Sequence, residues 1–162
     1  MAALHALLLL SDSALPLGSF AFSSGLESYL AHHKPSTPSA SQLLSFNVFL
    51  RLSLSTFASA ALPYVLAGHR DPTEIEKLDN DFDACTLCTV ARRTSIAQGQ
   101  ALLTVWDRSF KAKYSGGETA YTGQDEDGAA STTKAIEALA AFSSVMRSSD
   151  RLNGHFAPLW GV

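Results

Sequence analysis

Between Gln42 and Leu62 the chain carries neither glycine nor proline, and this uninterrupted stretch constrains the fold more than any other part of the sequence. Its apolar residues alternate with mostly polar ones, as they would in a β-strand. The alternating positions are Leu44, Phe46, Val48, Leu50, Leu52 and Leu54. About a dozen residues is already long for a strand, however, and the stretch runs on into helix-favouring alanines. Its length therefore predicts a helix, which Pro63 should stop or kink.

The same stretch is the one candidate for a membrane span. It is interrupted by Asn47, Arg51 and several serine and threonine residues, which are too many polar groups for a convincing single span. We expect a buried core helix and no membrane association.

Capping residues predict where other helices begin. Ser24 and Glu27 fit a capping box for a helix that runs towards His33. The segment Asp71-Pro72-Thr73-Glu74 combines an N-cap acid, a proline at the first helical position and a capping-box glutamate. In the helix that follows, an apolar stripe is expected at Ile75, Leu78, Phe82, Cys85 and Thr89, with an exposed acidic face formed by Glu76, Asp79, Asp81 and Asp83.

Two further helices are expected towards the C-terminal end. One extends from about Arg92 to Phe110, with Ile96, Leu103, Trp106 and Phe110 on one face. Gly99 lies on that face, where close approach of another backbone could offset its cost to the helix of about 1 kcal/mol. Ser115 to Gly128 is glycine-rich and acidic, which predicts a mobile loop. Thr132 or Thr133 should cap the last helix, whose core side carries Ile136, Leu139, Ala140 and Met146.

These segments predict an all-α fold, with a single helical-bundle-like domain of about five or six helices over residues 1–162. The formal net charge is −3, so the chain lacks the excess of basic residues that nucleic-acid binding requires. Two cysteines cannot form a disulfide framework, and no secretory leader is recognisable. We therefore expect a cytoplasmic protein.

The residues alone offer few candidates for chemistry. Cys85 and Cys88 form a C-x-x-C pair that could be half of a zinc or nickel site or a redox couple. Because Cys85 falls on the apolar stripe and no second pair exists, we favour burial in the core. His32 and His33 point about 100° apart on a helix, so an interaction with the helix C-terminus is favoured over a shared metal. Ser11-Asp12-Ser13 is better explained by turn chemistry than by a nucleophile.

Three short blocks resemble the urease accessory protein family UreF. Leu8 to Tyr29 reads LLLSDSALPLGSFAFSSGLESY and is similar to the N-terminal signature of that family. Ala91 to Leu103, ARRTSIAQGQALL, resembles its central helix, and His155 to Val162, HFAPLWGV, resembles a later segment. The order and approximate spacing of the three blocks also match.

The resemblance implies an all-α protein that is not an enzyme and binds no cofactor tightly. It implies a homodimer that joins UreD (also called UreH) and the GTPase UreG on apo-urease, with nickel handled by the complex. The family-motif residues carried over are Asp12, Pro16, Gly18, Phe20, Ser23, Gly25, Glu27, Arg92, Ser95, Gln98, Gly99, His155, Pro158 and Gly161. Arg92 and Gln98 are the better candidates for partner contacts, since neither belongs in a core without a hydrogen-bond reason.

Two departures from the family pattern matter. The segment 115–128 resembles an insertion between family helices, and the chain stops where family members continue with further helices. The domain is therefore expected to be C-terminally incomplete. This leads to the hypothesis that apolar faces of the Gln42 and Thr133 helices remain partly exposed. Two alternative functions stay open: a nickel carrier that uses Cys85, Cys88 and histidine, and a helical interaction protein without urease activity.

Overall fold

The computed structural model describes residues 25–32, 40–115, 126–148 and 151–162, and every regular element in these ranges is helical. The elements are α1 (Leu26–His32), α2 (Ala40–Ala60), α3 (Leu62–Arg70), a 3-10 turn (Pro72–Glu74), α4 (Ile75–Cys85), α5 (Thr89–Val105), a π-helical turn (Trp106–Phe110), α6 (Lys111–Ser115), α7 (Glu126–Ser148) and α8 (Phe156–Gly161). The predicted all-α fold is confirmed. The chain divides into two compact units, Met1–Pro63 and Tyr64–Val162.

The first unit contains α1 and α2. Gly25 precedes α1 with a φ of 85°, a left-handed conformation that glycine adopts without a side-chain clash. The Tyr29 ring on α1 packs against the Phe49 ring on α2, with the centroids 5.3 Å apart. A turn at Ala61, two residues before Pro63, separates α2 from α3, so the predicted helix and its interruption are both confirmed.

The apolar side chains of α2 are exposed, which contradicts the expected buried core helix. The exposed positions are Leu43, Leu44, Phe46, Val48, Leu50, Leu52, Leu54 and Phe57. The sequence predicts a helix with an apolar face, but it does not show which segment packs against that face. Among the described residues, Leu43–Arg70 is the one helical stretch long and apolar enough to cross a membrane, with a mean hydropathy of 1.3. Length and composition alone are weak support for a span, and the absence of a membrane stays a prediction.

The core of the second unit lies where α4, α5, α7 and α8 meet. Its buried apolar residues are Ile75, Leu103, Leu139, Phe142, Leu152 and Leu159. Phe142 is fully buried and was not predicted, whereas Ala140, placed on the core side by its spacing, is exposed. On the Thr133 helix, Leu139 is buried and Ile136 and Met146 are half-buried, so its apolar face is partly exposed.

The predicted helix start at Asp71 is confirmed in the second unit. The Asp71 carboxylate accepts hydrogen bonds from the Thr73 backbone N–H at 3.1 Å and the Thr73 hydroxyl at 2.6 Å. These bonds hold the pKa of Asp71 below its usual range. Pro72 opens a 3-10 turn that leads into α4. Glu74 makes no cap hydrogen bond and instead lies 3.4 Å from Lys77.

Helices also replace parts of the predicted loop. Ser115 ends α6, and Glu126 to Gly128 form the start of α7. The boundaries expected for the 115–128 loop are therefore wrong at both ends, and its remaining residues, 116–125, lie outside the described residues. Helix α7 also begins before Thr132 and Thr133, so neither residue caps it.

Candidate functional site

A buried carboxylate on α4 anchors the segment that precedes α8. Asp79 is fully buried. One of its oxygens accepts the backbone N–H groups of Asn153 at 2.8 Å and Gly154 at 3.2 Å, and the other accepts that of His155 at 2.6 Å. A buried carboxylate is costly unless such donors surround it. Asp79 therefore fixes residues 153–155 against α4.

Two glycines allow this segment to come so close. Gly154 has a φ of 75°, a left-handed conformation that glycine adopts readily. This conformation directs the N–H groups of residues 153–155 towards Asp79. Gly99 lies where a Cβ atom would be 2.0 Å from the Gly154 carbonyl oxygen and 2.9 Å from the Phe156 nitrogen. Helix α5 and this segment thus touch backbone to backbone. The predicted close approach at Gly99 is confirmed.

His155 links the same segment to both α4 and α5. Its side chain is fully buried, with Nδ1 3.1 Å from the Ser95 hydroxyl and Nε2 2.9 Å from Asp83 Oδ1. The Phe156 backbone N–H donates to the Ser95 oxygen at 3.2 Å. All partners in this network are satisfied when the Ser95 hydroxyl donates to Nδ1 and the protonated Nε2 donates a hydrogen bond to Asp83. Both ring nitrogens are therefore used within the chain.

Asp79, Ser95 and His155, together with Asp83 and Arg92, form a polar cluster. Asp83 and Arg92 form an ion pair at its rim. The Arg92 Nε donates to Asp83 Oδ1, and its Nη2 lies 3.1 Å from Asp83 Oδ2 and 3.2 Å from Asn153 Oδ1. The hydrogen bonds from Arg92 and then His155 hold the pKa of Asp83 below its usual range. The pKa of Arg92 is raised by the same carboxylate. The two charges therefore stabilise each other, although 40% of the Arg92 side chain stays exposed.

Ser95, His155 and Asp83 are the residue types of a hydrolase triad, but their arrangement favours a structural role. In the serine-protease template, Nε2 faces the serine and Nδ1 the aspartate. Here the two ring nitrogens are exchanged. The Ser95 oxygen also accepts a backbone N–H, which draws electron density from a would-be nucleophile. The three side chains connect two helices to the segment before α8.

The structure brings the second and third family blocks together. Arg92, Ser95 and Gly99 all contact residues 153–156. Pro158 and Gly161 are buried in α8, where a Cβ on Gly161 would lie 2.2 Å from the Val65 carbonyl oxygen on α3. The spacing within these two blocks thus serves packing between α3, α5 and α8.

The remaining predicted site residues fall into three groups. Gln98 is half-buried on α5, and its contact with a partner stays a prediction. Gly25 and Glu27 belong to the first unit, at the start of α1. The remaining residues of the first family block, Asp12, Pro16, Gly18, Phe20 and Ser23, lie outside the described residues, as does His33.

Sequence reasoning missed the two aspartates that hold the cluster. Asp79 and Asp83 were placed on an exposed acidic face, yet Asp79 is fully buried and only 26% of the Asp83 side chain is exposed. For Asp79, the spacing along the helix carried a signal that could have identified it. Asp79 lies four residues after the buried Ile75 and three before the half-buried Phe82, which puts it on the same helical face.

The structure also corrects the expectation that Cys85 is buried in the core. Cys85 and Cys88 are both exposed free thiols, so the favoured burial of Cys85 is wrong. Cys85 is the last residue of α4 and accepts a hydrogen bond from the Tyr64 hydroxyl at 3.5 Å. That bond, together with partial burial, raises the pKa of Tyr64 to about 12. Within the described residues, no group of three or more histidine, cysteine or acidic side chains is placed to hold a metal ion.

The fold and the polar cluster define an all-helical protein in which ionisable side chains join different segments of the same chain. The UreF family pattern matches residues 44–162, and the chain belongs to this family. It is 33% identical over 98% of its length to an uncharacterised UreF-like urease accessory protein of Schizosaccharomyces pombe, of which the match covers 58%. It is 29% identical over 98% of its length to urease accessory protein 6 of Cryptococcus neoformans, of which the match covers 61%.

A plant relative supports the same assignment over a shorter range. The urease accessory protein F of Oryza sativa subsp. indica is 37% identical over 59% of this chain and 36% of its own length. The chain therefore spans about three fifths or less of the curated relatives that it matches. No solved structure matches the chain significantly.

Proposed function

We propose that this chain is a non-catalytic accessory protein of urease maturation. It recruits a UreG-type GTPase to a UreD-type protein on apo-urease, so that nickel is inserted into the urease active site. The observation that carries this proposal is membership of the UreF family over residues 44–162. The proposal includes action as a homodimer in the cytoplasm, with nickel as cargo of the complex.

The polar cluster supports a scaffold function. Asp79, His155 and Ser95 direct their hydrogen-bonding groups at the chain itself. Such groups stabilise one arrangement of α4, α5 and the segment before α8. A stable arrangement of helices is what a protein needs to present the same surface to several partners. The exposed apolar side chains of α2 add a surface of the kind that protein partners cover.

The proposal is tested by reconstituting urease activation from purified components. Apo-urease, UreD, UreG, GTP and nickel are combined with and without this chain, and urease activity is measured. A full-length UreF relative serves as the positive control. We expect the chain to raise the activity above the level without it. No increase, under conditions where the full-length relative activates, would refute the proposed function of this chain.

The nickel-carrier alternative is favoured by one observation, the exposure of both cysteines. The double variant Cys85→Ser, Cys88→Ser separates it from the scaffold in the same assay, run in reducing buffer. A scaffold should activate urease as well with the serines as with the thiols. If the variant loses activation while its circular dichroism is unchanged, the result would indicate that the thiols carry nickel.

A further inference from the structure

The C-x-x-C pair occupies the short connection between α4 and α5. Cys85 ends α4 and Cys88 is the N-cap residue of α5, with a non-helical connection between the two helices. Thr86 closes α4 through its hydroxyl, which donates to the Phe82 carbonyl oxygen at 2.7 Å. The Arg92 backbone N–H donates to the Cys88 carbonyl oxygen at 2.8 Å and so opens α5. The two exposed thiols therefore lie at the two ends of one short connection.

The surroundings of Cys88 favour its thiolate form. Helix α5 has no acidic residue in its first turn, so the positive end of the helix dipole is not offset there. The backbone N–H groups of Ala91 and then Val90 lie close enough to lower the pKa of the Cys88 thiol, although neither makes a hydrogen bond of good geometry. The thiolate is the nucleophilic form of cysteine, and a helix N-terminus is one of the environments that stabilise it.

The second thiol is close along the chain and is also exposed. Cys85 is exposed and is contacted by the Tyr64 hydroxyl. Only Thr86 and Leu87 separate it from Cys88, and 90% of Leu87 is exposed. This connection can therefore adjust with little loss of core packing. An exposed nucleophilic thiol with a second thiol three residues away is the arrangement of a redox-active pair.

We propose that Cys85 and Cys88 form a reversible thiol–disulfide site that reacts with small disulfides of the glutathione type, with Cys88 as the attacking thiol and Cys85 as the resolving thiol. The Cys88 thiolate attacks one sulfur of the small disulfide, which forms a mixed disulfide and releases one small thiolate. The Cys85 thiolate then attacks the Cys88 sulfur and releases the second one. Two protein thiols are oxidised, one small disulfide is reduced to two thiols, and the two thiol protons pass to the released thiolates.

The site borders the polar cluster. Asp83 and Arg92 flank the two cysteines in sequence and are joined by their ion pair. A disulfide between Cys85 and Cys88 constrains the same connection that this ion pair closes. In a reducing compartment such a bond is transient, as is usual for redox-sensing cysteines.

The test uses the reduced 162-residue chain and oxidised glutathione near neutral pH. Samples are quenched in acid and followed by intact mass. The unaltered chain should end as an internal disulfide, two hydrogens lighter and without glutathione. Cys85→Ser should accumulate one glutathione on Cys88. Cys88→Ser should acquire its adduct several-fold more slowly, because the remaining thiol lacks the helix N-terminus.

A control in concentrated urea separates structure from intrinsic reactivity. Unfolding removes the helix N-terminus, so the difference in rate between the two single variants should disappear. Equal rates for these variants in the folded state would overturn the assignment of Cys88 as the attacking thiol. A mixed disulfide that persists in the unaltered chain would overturn the resolving step. None of these readouts depends on urease activation, so their failure is distinct from failure of the proposed function.

Discussion

Replacing Gly99 with alanine tests whether α5 and the segment before α8 touch backbone to backbone. The new Cβ would lie 2.0 Å from the Gly154 carbonyl oxygen, whereas ordinary contact begins at 3.4 Å. The segment must therefore move by 3.4 − 2.0 = 1.4 Å. Such a shift breaks at least one of the hydrogen bonds, now 2.6 to 3.2 Å long, that residues 153–155 donate to Asp79.

The magnitude follows from opposing contributions to the free energy of unfolding. Alanine improves helix propensity by about 1 kcal/mol. Overpacking costs roughly 1 to 3 kcal/mol, and a buried backbone N–H without a partner costs about 1 to 3 kcal/mol. We expect Gly99→Ala to lower the free energy of unfolding by about 1 to 5 kcal/mol, and the middle of this range corresponds to a fall in Tm on the order of 10 °C.

Urea denaturation followed by circular dichroism measures this change. Gln98→Ala is the matched control, because Gln98 is a half-buried neighbour on the same helix and should change stability by less than about 0.5 kcal/mol. A Gly99→Ala variant as stable as this control would refute the close contact between α5 and the segment before α8.

Three further variants test other parts of the structure. Asp79→Ala leaves three backbone N–H groups without an acceptor, so urea denaturation should show a loss of about 3 kcal/mol. Asp83 has a lowered pKa, so its contribution is complete above the usual value of about 3.9 and is lost as the pH falls through the folded-state pKa. Asp83→Asn should therefore flatten the acid dependence of the urea midpoint. The exposed Leu43 and Leu54 should promote self-association, which sedimentation velocity should show to weaken in Leu43→Gln, Leu54→Gln; a strictly monomeric parent chain would contradict this.

Local signals in the sequence predicted several features correctly. Asp71 and Pro72 start the α4 region because a side-chain cap and a proline act within one turn. The interruption before Pro63 depends on the same short-range chemistry. Gly99 was predictable for a different reason: a glycine on the apolar face of a helix loses stability unless a close neighbour offsets it.

The features that could not be predicted depend on residues far apart in the chain. The helical spacing of Asp79 places it on the buried face, but its hydrogen-bond donors come from residues 153–155, which no local pattern connects to α4. Cys85 shares the spacing of the apolar stripe but lies at the end of α4, beyond the core. The exposure of α2 likewise depends on which other segments pack against it, and helical periodicity does not contain that information.

Capture of UreG tests the proposed scaffold most directly. The tagged chain is bound to purified UreD, and UreG retained on the complex is quantified against UreD alone. We predict that UreG is retained only when the chain and UreD are both present. Equal retention of UreG by UreD with and without the chain, when the chain is folded and bound to UreD, would contradict the recruitment of UreG by this protein.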